Sequence, residues 1–161
     1  EWYYTLSGNV REVILFTNNE VLRAYGFDRD EELWYICTVP LETDPCTGTQ
    51  LADSDALNEE IEHFGNPVID GAIALGLDDD DEYIPFGTTV NSPYIAIRVE
   101  NKNASNVTEV TRLTMTIGDK TKDGKSRYAV ANETSDVIAV DLKWADRVLD
   151  LFFGELLVAD K

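Results

Sequence analysis

The chain has 161 residues, 43% of them apolar, with 31 acids against 13 bases and a net charge of −18. That length and apolar share fit one folded domain with its own core, and exclude a disordered tail. The acidity excludes docking on a nucleic-acid backbone or on anionic lipid, and no apolar stretch approaches the ~20 residues that span a bilayer.

The sequence opens EWYYTL, without Met, which fits removal of a leader. Such an apolar segment wants a groove. Extended, it places Trp2, Tyr4 and Leu6 on one face and Tyr3 and Thr5 on the other. Residues 1–8 are therefore a candidate edge strand, or a strand donated to a neighbouring subunit, with Trp2, Tyr3, Tyr4 and Leu6 making the contact. NVREVILFTNN, EVLRAYGFD and ELWYICTV follow and read as a meander of strands, with a turn at Asn18-Asn19.

Cys37 and Cys46 flank a bend containing Pro40 and Pro45. In an oxidising compartment they would close a small disulfide loop; the alternative is two separate buried thiols. SDALNEEIEHF is the convincing mid-chain helix. Ser54 or Asp55 caps it, Leu57, Ile61 and Phe64 share one face, and Gly65 and Pro67 end it. His63, the sole histidine, sits at the helix end, where a structural role is expected. Residues 66–93 read as a loop around a short buried segment, VIDGAIALGL.

Within that loop Asp78, Asp79, Asp80, Asp81 and Glu82 form an acidic run. Like charges so close repel unless solvent or a cation neutralises them, and oxygen ligands suit Ca²⁺. The run is a candidate Ca²⁺ site or a solvated acidic loop. It fails the EF-hand pattern, because Tyr83 and Thr89 stand where Gly and Glu are required.

The second half returns to strands. YIAIRVE alternates Ile95, Ile97 and Val99 against Ala96, Arg98 and Glu100, and EVTRLTMTIG alternates Leu113, Met115 and Ile117 against Val110, Arg112 and Thr114. Asp123-Gly124 marks a hairpin, and RYAVAN and DVIAVDLKW continue as strands. RVLDLFFGELLVADK leaves helix and strand open. The architecture expected is a single mainly β domain over 1–161, a jelly-roll-like β-sandwich with one short helix.

Asn103, Asn106 and Asn132 head three glycan acceptor sequons, all at strand ends or turns. With the cysteines they point to an extracellular chain. No nucleophile elbow, HExxH, phosphate loop or dinucleotide fingerprint is present, so no enzyme activity is expected.

The stretch SPYIAIRVENKNASNVTEVTRLTMTIG resembles secreted β-sandwich subunits of archaeal extracellular filaments and tubes, including cannula-type proteins. The resemblance covers the last third of the chain and rests on pattern. It implies a jelly-roll-like fold, strand exchange between subunits and, in cannula-type tubes, Ca²⁺-dependent assembly. The function expected is thus a structural subunit whose partners are copies of itself. The alternatives are a virion coat or decoration protein, or a carbohydrate-binding module using Trp2, Trp34 or Trp144 to engage surface glycans.

Overall fold

Nine strands hydrogen-bond into one antiparallel sheet in the computed structural model, which describes residues 9–159. In chain order the elements are β1 (Val10–Thr17), β2 (Glu20–Asp28), β3 (Leu33–Ile36), β4 (Gln50–Leu51), α1 (Ser54–Phe64) and β5 (Ile69–Ala74). A 3₁₀ helix (Asp80–Phe86), β6 (Tyr94–Lys102), β7 (Thr108–Lys120), β8 (Ser126–Ala131), β9 (Val137–Asp141) and α2 (Leu142–Phe153) follow. Across the sheet the order is β4-β3-β2-β1-β6-β7-β8-β9-β5. The mainly β class, with its short mid-chain helix, is as expected.

Local chemistry accounts for most elements. Asn18 and Asn19 both adopt positive φ, 52° and 61°, which the two-residue turn between β1 and β2 needs and Asn tolerates. Helix α1 occupies the predicted residues, but Asp53 caps it by accepting from Ala56 N at 3.1 Å. Ser54 is diverted to accept from the Trp34 N–H. Leu57, Ile61 and Phe64 form the buried stripe.

Three expectations change. VIDGAIALGL is not a buried segment; it contains edge strand β5, with Val68, Ile69, Ile73 and Leu75 exposed. DVIAVDLKW does not stay extended. Asp141 accepts from Trp144 N at 3.1 Å and so caps a second helix, α2. The C-terminal segment left open between helix and strand is both in turn: helix to Phe153, then an isolated bridge from Val158 to Ala52.

The sheet has two unlike faces. One is covered by both helices: Ile95, Ile97, Leu113 and Met115 pack in the cluster that holds Phe64 and Trp144. Each such side chain contributes about 1.5–3 kcal/mol on burial, so this layer dominates the core. The other face carries a smaller cluster, Ile14 and Ala24 beneath the Cys37–Cys46 disulfide. Gly26 makes room for that loop, since a Cβ there would lie 2.2 Å from Cys46 O.

Replacing both cysteines by Ala is expected to lower the unfolding free energy by about 2–3 kcal/mol, because so short a closed loop removes denatured-state entropy. A shifted urea midpoint would report it. Freely alkylated thiols in the native, unreduced protein would contradict the bridge.

The two edges of the sheet also differ. At β4, Asp53 N donates to Leu157 O and Ala159 N donates to Leu51 O, so the C-terminal segment closes that edge. At the other end β5 pairs, among the described residues, with β9 alone. No helix among the described residues is long and apolar enough to cross a membrane.

Candidate functional site

Two features of the surface stand apart from solvated scaffold. The first is the β5 edge. Residues 68–77 hold one charged side chain, Asp70, which accepts from Ser126 Oγ. In a chain that is 27% charged this is a conspicuous gap. Edge strands are usually blunted by lysines, prolines or bulges. Here two register shifts bend the strand, but Ile69, Ile73 and Leu75, the last 69% exposed, carry no charge.

The second feature lies on the face away from the helices. Pairing across four strands aligns Phe16, Tyr94, Thr116 and Val130 in one row. They floor an open groove of about 610 Å³. The 3₁₀ segment walls it with Tyr83 and Ile84, and Val90 follows. This segment can lie directly on β7 because Gly118 has no side chain; a Cβ there would sit 2.3 Å from Phe86 O. Phe86 also packs edge-on to Tyr128 at 5.0 Å, and Asn18 N donates to Asn91 O.

Among the described residues the charged side chains lining the groove are all acids: Asp80, Asp81 and Glu133. Tyr94 donates its hydroxyl to Glu133 Oε1 at 2.8 Å and meets the Phe16 ring at 5.5 Å, inclined by 62°. Burial raises the Tyr94 hydroxyl above the usual phenol range, the Thr114 hydroxyl and Arg112 oppose the shift, and Glu133 adds to it. Tyr94 therefore stays protonated at neutral pH and remains a donor.

The predicted acidic run is divided by this arrangement. All five residues are exposed, and Asp80, Asp81 and Glu82 form the first turn of the 3₁₀ helix. Of them only Asp80 and Asp81 line the groove. Among the described residues no three His, Cys, Asp or Glu side chains are arranged to hold a metal ion.

The sequons lie where the strands were expected to turn. Asn103 Oδ1 accepts from Ser105 N and Val107 N in the β6–β7 connection, Asn106 has φ 62°, and both are exposed. Asn132 is exposed too, while its Oδ1 accepts from Thr114 N at 3.1 Å. Trp34 and Trp144 are buried, so neither offers a stacking platform for a sugar. His63 is a packing residue: its Nε2 meets Trp144 O at 3.0 Å and its ring stacks on that indole. Trp2, Tyr3, Tyr4 and Leu6 lie outside the described residues.

Sequence reasoning passed over Glu12. Alternation along β1 gives no sign that this acid is only 1% exposed. The disulfide loop covers it, and Glu12 Oε2 accepts from Cys46 N at 2.6 Å. Comparison of the chain with protein-family models, curated proteins and solved structures returns no match.

Proposed function

We propose that the chain is a non-enzymatic structural subunit of an extracellular polymer, a filament or tube, joined to its neighbours by strand addition at β5. The contrast between the two sheet edges carries this reading. The chain's own residues 157–159 cover β4, whereas among the described residues the outer edge of β5 has no partner strand and Ile69, Ile73 and Leu75 are exposed along it. An extended segment from a second copy would pair with the β5 main chain and cover that surface. The segment assigned is residues 1–8, whose Trp2, Tyr4 and Leu6 alternate as an inserted strand requires.

Other features support the setting. The intramolecular disulfide suits an oxidising compartment, and Asn103, Asn106 and Asn132 are exposed for glycan attachment. Ca²⁺ enters through Asp78 to Glu82: subunits of charge −18 repel, and a divalent ion at the exposed run reduces that cost.

Two variants test the junction. Ile73→Lys puts a charge on the acceptor edge, and Trp2→Ser with Tyr4→Ser weakens the donor. Each is expected to abolish polymers in electron micrographs, with or without Ca²⁺. Ile73 is exposed, so Ile73→Lys should leave monomer stability within about 0.5 kcal/mol of the parent. Unchanged polymers from both variants would falsify strand addition. Loss with Ile73→Lys alone would keep the edge and remove residues 1–8 as the donor.

A further inference from the structure

We propose that the outer-face groove binds a small organic cation of the quaternary ammonium class. This inference does not rest on the assembly reading. It starts from the composition of the groove: Phe16, Tyr94 and Val130 beside Thr116 on the floor, Tyr83, Ile84 and Val90 among threonines and asparagines around it, and, among the described residues, no charged lining residue but acids.

Two physical terms then favour one kind of ligand. Ring faces carry the negative part of an aromatic quadrupole and attract cations, most strongly where water is displaced. Phe16 and Tyr94 are inclined to each other by 62°, so they turn ring surface in two directions, and Tyr83 adds a third ring to the lining. Carboxylates set around low-dielectric walls add to the same potential. Glu133 is held in place by the Tyr94 hydroxyl, and Asp80 and Asp81 are supplied by the first turn of the 3₁₀ helix.

The same residues select against other cations and against sugars. A bare divalent ion needs several converging oxygens, and no three acids converge here among the described residues. An apolar-bodied ammonium needs none; it loses little hydration on entering and fills an apolar floor. A neutral sugar would use the carboxylates as acceptors for its hydroxyls but would gain no charge attraction from them. The volume, about 610 Å³, falls in the range of small-ligand sites and leaves the ligand partly open to solvent.

Choline is the probe, followed by amide chemical shifts in the whole chain. Saturable shifts are expected at Phe16, Tyr94, Thr116 and Glu133. Dimethylbutanol, the neutral carbon analogue of choline, should bind at least about tenfold more weakly, as should choline to Tyr94→Leu. Asp81→Asn is exposed and should fold normally, and should weaken choline by about threefold. Equal binding of the neutral analogue would overturn the proposal. So would shifts that fail to saturate or that map elsewhere. A lysine-rich peptide that saturates the groove when choline does not would reassign it to a macromolecular partner.

Discussion

Trp144→Ala lowers the unfolding free energy by about 3–5 kcal/mol in a urea titration, the expected cost of removing a buried indole. Trp144 is 3% exposed and joins α2 to α1. Its Nε1 donates to His63 O at 2.9 Å, while its own carbonyl oxygen faces His63 Nε2 at 3.0 Å. A carbonyl only accepts, so Nε2 carries the imidazole proton. Phe64 stacks on the same ring. Trp144→Phe keeps part of the packing and removes one donor from the His63 carbonyl, which retains Asn66 N at 3.1 Å, so it should cost less, about 0.5–1.5 kcal/mol for the lost bond. An alanine variant within about 1 kcal/mol of the parent would mean the helix layer contributes far less than its burial indicates.

Glu12→Ala should also be damaging, by about 1–3 kcal/mol, although it removes no apolar core. The carboxylate sits under the disulfide loop, bonded to Cys46 N, with Arg112 Nη1 at 3.7 Å from Oε1. Alanine leaves a buried N–H without an acceptor and takes one counter-charge from Arg112, which keeps Asp44 Oδ1 at 3.4 Å. Glu12→Gln retains an oxygen for Cys46 N and should lose less. Because Glu12 and the disulfide hold the same loop, their costs should not add. A cycle of Glu12→Ala with the double cysteine replacement measures that coupling, and strict additivity would show the two act separately.

Legibility in the sequence followed how local each cause was. The alternation of Ile95, Ile97 and Val99 survives because one face of β6 is buried, and a slip of one residue would reverse it. The stripe of α1 and the turn at Asn18-Asn19 are equally local. Glu12 was illegible because its cover comes from a loop more than 20 residues away. VIDGAIALGL was misread as buried because its composition is apolar, while its exposure is set by strand order. Asp141 was hidden as a helix cap because a β-branched run leads into it without a break. The groove was not legible at all. Phe16 and Tyr94 become neighbours only through the register of β1 with β6, and Gly118 matters only because Phe86 rests on it.

If subunits join by the proposed strand addition, the closure of β4 by residues 157–159 sets their valence. With that edge occupied, a subunit has one main-chain edge among the described residues to offer, and one segment to give. Under the proposed strand addition, two connections per molecule, of unlike kind, cannot branch; they would give a ring where the rotation closes and otherwise a thread with a receiving end and a giving end. Such a thread has direction, and its growth can be halted from one side only. Free peptide EWYYTLSG would plug the receiving end and leave the giving end active, so small amounts would shorten polymers without dissolving those already made.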